Sequence, residues 1–469
     1  MAAPGSTTRT AALAGRDERA KAGRAARTVA PLEAHAQLDI EPGRDAVSLL
    51  EQQAATRVPD LVPIRYGRML TSPFAFYRGA ALVMATDVAR TPSSGLLVQM
   101  CGDAHMMNFG MFGSPERHLV FDLNDFDETL PGPFEWDVKR LATSVAIAGR
   151  EGGLNRKGRR AALLTVVGAY RQAMREFAGL GQLAVWYAHA DVEELRERLV
   201  QQFTERATAR ALAKAKTRDG MRTYAKLVRV VDGRLRIISA PPLIVPIEEL
   251  LPDRDAAELE DDMRGILRGY RQTLQPDRQH LLDQFRLVHV ARKVVGIGSV
   301  GTRAWVLLLA DADGENPLFL QAKEAQAAVH TAYAGPSEYD HQGQRVVAGQ
   351  RLMQAHSDIF LGWQRAAGAD GVERDFFVRQ LSDWKASVAV EALTPPTLTA
   401  YGRMCAWTLA RAHARSGARI EIAAYLGKSD RFEQAVADFA EAYADLNAAD
   451  HAALQAATDA GRVVAVTGV

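Results

Sequence analysis

Residues 101–128 read CGDAHMMNFGMFGSPERHLVFDLNDFDE, and gather Asp103, His105, Asn108, Asp122, Asp125, Asp127 and Glu128 beside two short apolar runs, Val98–Met100 and Leu119–Leu123. Short apolar runs bounded by Gly, Ser and Asp have the pattern of strands flanking a loop. Carboxylates crowded in this way repel one another unless a cation or an Arg or Lys neutralises them. Oxygen ligands of this kind suit a hard cation such as Mg2+ better than a soft one. The competing reading is a set of loop acids capping turns and helices. Asp125 is either a second metal ligand or a surface acid.

Outward from this loop, Trp136–Ala148 has helical spacing of its apolar residues, and Asn155–Phe177 and Ala184–Ala213 continue as helices. Residues 214–236 form a basic run, read as a solvated face or as a site for a phosphate-bearing ligand, and Asp232-Gly233 within it predicts a hairpin turn. Near Phe285 the pattern turns strand-rich. Ala304–Ala310 and Leu318–Ala322 flank the turn-rich DADGENP, which predicts a hairpin. Gln344–Ala355 reads as a helix and Phe376–Leu381 as a strand. Tyr401–Ser416 is an amphipathic helix ending at Gly417, and Phe432–Ala456 is Ala-rich and helical.

The chain has 469 residues and a net charge of +1, so there is no whole-molecule electrostatic case for nucleic acid or an anionic membrane. Two cysteines, Cys101 and Cys405, exclude a disulfide scaffold and a zinc site built on paired Cys motifs. No spanning helix and no secretory signal is expected, which makes the cytoplasm the default location. Residues 1–30, rich in Ala, Arg, Gly and Thr without hydrophobic periodicity, are expected to be a mobile tail.

Asp103 and Asn108 are five apart, the Asp-x-x-x-x-Asn spacing of a kinase catalytic loop, and Asp122 lies fourteen beyond Asn108. GDAHMMNFG…VFDLNDFD resembles the HGDxHxxN…IDF pattern of aminoglycoside and choline phosphotransferases. The resemblance implies that Asp103 is the catalytic base and that Asn108 and Asp122 hold Mg2+ against the nucleotide phosphates. It also implies that Asp137 is a structural acid anchoring the catalytic loop. The sequence departs from the pattern where Cys101 replaces the leading His, and where Leu123 and Asn124 follow Asp122.

A kinase also needs a phosphate-covering loop and a lysine. Gly296, Gly298 and Gly301 form a G-x-G-x-x-G that is followed by strand, turn and strand rather than by a helix. That context disfavours a Rossmann fingerprint and suits a kinase Gly-rich hairpin. Lys323 lies on the third strand, where a buried Lys needs a phosphate or carboxylate partner; otherwise it is a strand-end Lys reaching solvent. Its acidic partner is not evident. The catalytic loop therefore precedes the Gly-rich loop, an order that a circular permutation would explain.

RYGRMLTSPFAFYRGAA, GDAHMMNFG, VFDLNDFDE, WDVKRLATS, RVVAGQRLMQAHSDIFLGW and WTLARAHARSG are similar to blocks of the bacterial domain-of-unknown-function family 2252. Arg65, Arg68 and Arg78 of the first block are candidates to meet phosphate, or to pair with the loop acids.

The expected architecture is α+β, a protein-kinase-like two-lobed fold in permuted order. Residues 31–284 would form the large lobe with a helical insert, 285–395 a small antiparallel β-rich nucleotide lobe, and 396–469 helices completing the large lobe. The expected ligands are ATP and Mg2+, and the expected activity is phosphoryl transfer to a hydroxyl of a small-molecule or protein acceptor. A catalytically inactive nucleotide-binding module and AMP transfer stay open. A metallophosphoesterase is disfavoured, because no Gly-Asn-His occurs.

Overall fold

The computed structural model describes residues 14–191, 220–231, 233–294, 296–314, 316–368, 370–381, 388 and 390–469. Twelve strands occur among them: β1 Leu97–Met100, β2 Phe109–Gly113, β3 Leu119–Leu123, β4 Leu130–Pro133, β5 Val228–Val231, β6 Arg234–Ile237, β7 Ile244–Pro246, β8 Arg286–Lys293, β9 Ala304–Ala310, β10 Pro317–Glu324, β11 Gly362–Ala367 and β12 Glu373–Gln380. All their pairings are antiparallel, so the helices between them are not parallel crossovers and the class is α+β.

The main sheet has six strands in the order β11-β12-β10-β9-β8-β7. The continuous apolar run of β9, AWVLLLA, follows from burial on both faces. Val306 and Leu308 face a cluster with Phe319 and Ile237, while Leu307 and Leu309 face one with Tyr270 and Leu320. The β9–β10 hairpin forms as expected, with Lys323 of β10 opposite Ala304 and Phe377. The sheet also recruits β7 through Ile244 opposite Lys293, and the β5–β6 hairpin packs on it. The sheet-bearing region thus begins upstream of residue 285. Short strands with little periodicity hid that boundary.

The helical part centres on Phe134–Glu151, sixteen of whose eighteen residues are buried. Helices Arg156–Gly179, Pro395–Ser416 and Arg431–Asp459 enclose it in one apolar cluster. Asn155 caps Arg156–Gly179 by accepting from Gly158 N at 2.8 Å, and Gly417, at φ +125°, ends Pro395–Ser416. The expected helix at 184–213 is seen as Gln182–Tyr187, and 192–219 lie outside the described residues. No helix among the described residues is long and apolar enough to cross a membrane.

Part of the expected N-terminal tail is ordered. Arg16–Ala25 is a helix lying on Arg419–Leu426, and an added Cβ on Gly23 would come within 2.1 Å of the Glu421 carbonyl oxygen. Arg19 pairs with Glu421 at 2.7 Å, and Arg27 donates to the Tyr425 carbonyl at 2.6 Å. A glycine contact face and ion pairs leave no apolar stripe for sequence reading to detect.

Candidate functional site

The acidic loop is built from the backbone outward. The chain leaves β1 and turns at Gly102, whose φ is +80° and whose added Cβ would lie 2.1 Å from the Glu128 carbonyl oxygen, so only glycine fits. Asp137, in the first turn of Phe134–Glu151, accepts from Cys101 N at 2.7 Å and Gly102 N at 2.9 Å. His413 Nε2 lies 3.1 Å from the same carboxylate. Asp137 is 1% exposed and anchors the loop, as its position implied.

Arg140, one turn further along that helix, donates to Asp103 Oδ1 from Nε at 2.8 Å, and its Nη2 lies 2.7 Å from the same oxygen as an ion pair. One helix face therefore fixes both the loop backbone and the Asp103 carboxylate. The other oxygen of Asp103 lies 3.6 Å from His105 Nε2. Burial, partly opposed by Asp103, pushes His105 down to about 4, so its ring is neutral at pH 7.

Asn108 stitches the two arms of the loop. Its amide nitrogen donates to the carbonyls of Asp103 and Asp125, both at 3.0 Å, and its Oδ1 accepts from Asp125 N at 2.7 Å. Pairing of β2 with β3 supplies this closeness.

Asp122 was expected to hold metal together with Asn108; β2–β3 pairing sets it opposite Gly110, but its carboxylate turns into the core. It is 3% exposed and pairs with Arg411 of Pro395–Ser416. Leu123 N and Ala355 N also donate to it, at 2.9 and 3.2 Å. It does not line the cleft. Asp125, just past the end of β3, does line it, together with Asp103, Asp127 and Glu128.

The glycine-rich segment turns between β8 and β9 and meets the acidic loop across a cleft of about 300 Å³. Asp103, Asn108 and Asp125 lie on one side, with Gly296 and Gly298 on the other. Gly301 stands behind the lining: its φ is +90° and its carbonyl accepts from Val58 N at 2.8 Å. Arg68 donates to the Gly296 carbonyl at 2.6 Å and Arg57 to that of Val300, so this turn is clamped to the segment around residues 57–68. Arg78 also lines the cleft, whereas Arg65 is buried and donates to the Gly79 carbonyl at 2.8 Å.

Lys323 is 2% exposed, and the acidic loop itself supplies its partners. Its ammonium pairs with Asp127 and lies 3.4 Å from Asp125. Burial raises the Asp125 carboxyl, but Lys323 and Arg379 outweigh it and hold the group below the ordinary range. Burial and the Asp125 charge hold Asp127 above it. Glu128 is pushed up to about 7 by burial, against its bond from Val329 N at 2.7 Å and the charge of Arg345. Arg345, on helix Gln342–Met353, donates to the carbonyls of Thr129, Asp127 and Gln326.

Arg140, Arg345 and Arg379 were not picked out from sequence, and Asp127 was counted among the loop acids without a role of its own. Only Arg140 left a signal, three residues after Asp137 on one helix face.

Among the described residues no three His, Cys, Asp or Glu side chains converge as a ready-made metal cage. Mg2+ does not require one, because it is commonly held by one or two carboxylates and completed by phosphate oxygens and water. Asp125 and Asn108 are hard oxygen donors, and Asp127 Oδ1 is buried without a hydrogen-bond partner. This donor set fits that ion.

The chain belongs to family DUF2252, described as uncharacterized protein conserved in bacteria, which it matches over residues 57–457. No curated protein and no solved structure matches it.

Proposed function

We propose that this protein is a Mg2+-dependent, ATP-using phosphotransferase with a two-lobed, kinase-like fold in permuted order. One observation carries the reading. Asp103, Asn108 and Asp125 share a cleft with Gly296 and Gly298, and Lys323 pairs with the cleft acids, although some 200 residues separate the two groups in sequence. Local structure gives no reason for that convergence, whereas phosphoryl transfer needs all of these parts together.

Asp103 accepts the proton of the attacking hydroxyl through the oxygen that Arg140 leaves open. Asn108 and Asp125 would hold Mg2+, which when bound would supply charge neutralisation for the phosphoryl group. Asp125 takes this role in place of Asp122, whose carboxylate is committed to Arg411. Lys323 shifts from its acidic partners towards the nucleotide phosphates, and the backbone of Gly296 and Gly298 covers them. The same residues serve transfer of AMP.

A second reading is a nucleotide-binding module without catalysis. Lys323 is satisfied by Asp127, and the glycine-rich turn is clamped by Arg57 and Arg68, which is the arrangement of a closed, unreactive cleft.

Calorimetric titration with ATP tests both readings. Binding that requires Mg2+ and is abolished by Asp125→Ala and weakened by Lys323→Met supports the shared site. Metal-independent binding that survives Asp125→Ala refutes it. Mass spectrometry of candidate acceptors then separates phosphoryl transfer, AMP transfer and binding without transfer.

A further inference from the structure

A larger concavity of about 890 Å³ lies away from the acidic loop, between helix Ala256–Arg271, the β5–β6 hairpin and the start of β8. Its floor is apolar. Leu259, Met263 and Leu267 recur at four-residue spacing along the helix, facing Leu282, Phe285 and Leu287. Among the described residues its walls carry Arg234, Arg236, Arg264, Arg268, Arg271 and Arg286, against the acids Glu248 and Asp283.

Arg236 is neutralised by Glu248, and Arg271 by Asp283 at 2.5 Å. Arg234, Arg268 and Arg286 are exposed and, among the described residues, take part in no ion pair or side-chain hydrogen bond. An exposed cation needs no partner to be stable, but several of them around recessed Leu, Met and Phe form a surface that is both apolar and strongly positive.

We infer that this groove docks an acidic amphipathic helical segment of another protein. The charge is distributed: Arg234, Arg268 and Arg286 come from three different elements, β6, helix Ala256–Arg271 and the start of β8. A fatty-acid head group would neutralise one arginine, whereas carboxylates repeating along a helix meet several while its apolar stripe covers the floor. A bilayer is a weaker match, because the apolar side chains are recessed below the exposed arginines rather than standing proud of them. The groove opens at the start of β8, whose other end leads into the glycine-rich turn. A segment held there lies on the same sheet as the candidate phosphate-binding elements. The inference stands apart from the phosphotransferase reading, since it concerns binding only.

Selection from a displayed library of short helical segments with randomised polar and apolar positions tests it on the full-length protein. The expected clones carry Asp and Glu flanking Leu, Met or Phe at helical spacing. Their affinity should weaken with salt and fall at least about tenfold on Arg234→Glu/Arg268→Glu. That variant should keep the wild-type melting temperature, because both side chains are exposed and unpaired. Asp125→Ala should bind the clones normally, which separates failure here from failure of the phosphotransferase reading. The inference is overturned if no clones enrich, if basic segments enrich, if the reversed-charge variant binds the same clones equally well, or if phosphatidylglycerol vesicles bind in an Arg234- and Arg268-dependent way while segments do not.

Discussion

Replacing Asp122 with alanine separates two roles for that residue, metal ligand and core anchor. The Asp122 and Arg411 side chains are 5% and 1% exposed, and Leu123 N and Ala355 N share the carboxylate. Asp122→Ala leaves a guanidinium buried without its counter-ion. Removing one partner of a buried pair typically costs about 3–5 kcal/mol. Removing both charges is far milder, so Asp122→Ala/Arg411→Met should recover most of the loss, with a coupling energy of about 2–3 kcal/mol. Urea unfolding of the wild type, both single variants and the double variant gives the cycle, and calorimetric titration with Mg2+ and ATP is run on each. The double variant should bind nucleotide as the wild type does. If Asp122→Ala instead keeps wild-type stability and loses Mg2+-dependent binding, Asp122 is a ligand and the placement of Asp125 in that role is wrong.

Other changes probe the loop. Asp137→Ala removes the acceptor of two loop amides and should cost about 2–4 kcal/mol while reducing any transfer activity, since Asp103 loses its placement; unchanged unfolding midpoints would contradict the anchoring role. Gly102→Ala combines a positive φ with a clash against the Glu128 carbonyl and should cost more than about 2 kcal/mol, read as a fall in melting temperature. Glu128 has its carboxyl raised to about 7 from an ordinary 4.5, chiefly by burial. The folded state therefore favours the protonated form, and the stability this supplies is full below about 4.5 and lost as pH rises through 7. Relative to Glu128→Gln, the wild type should lose stability between pH 5 and 8. Asp127 moves in the same direction, so the difference between wild type and variant is the informative quantity. A difference that stays flat with pH would contradict the shift.

Some of this molecule is written in short stretches of chain. The β9–β10 hairpin was legible because apolar runs flank DADGENP, and that information lies within about twenty residues. Helices at 134–151, 156–179 and 395–416 announced themselves by apolar period and caps. Asp137 was legible through the resemblance to the phosphotransferase pattern, which carries a structural acid before a helix. The helix at 16–25 was not, because its contact face is a glycine and its ion pair, Arg19–Glu421, joins residues some 400 positions apart.

The sequence by itself determined which residues are chemically able to act: a crowded acidic loop, a glycine-rich turn and a strand lysine. Spacing and side-chain chemistry are local properties, and they survive without knowledge of the fold. Tertiary structure decided which acid faces the cleft. Asp122 and Asp125 are three residues apart and nearly equivalent on paper, yet Arg411, far along the chain, neutralises the first in the core, while the second leaves the strand and opens into the cleft. Lys323 likewise found its counter-ions in Asp127 and Asp125 through packing of the sheet against the loop. The energy of a buried charge depends on what surrounds it in space, and no local reading of the chain contains those surroundings.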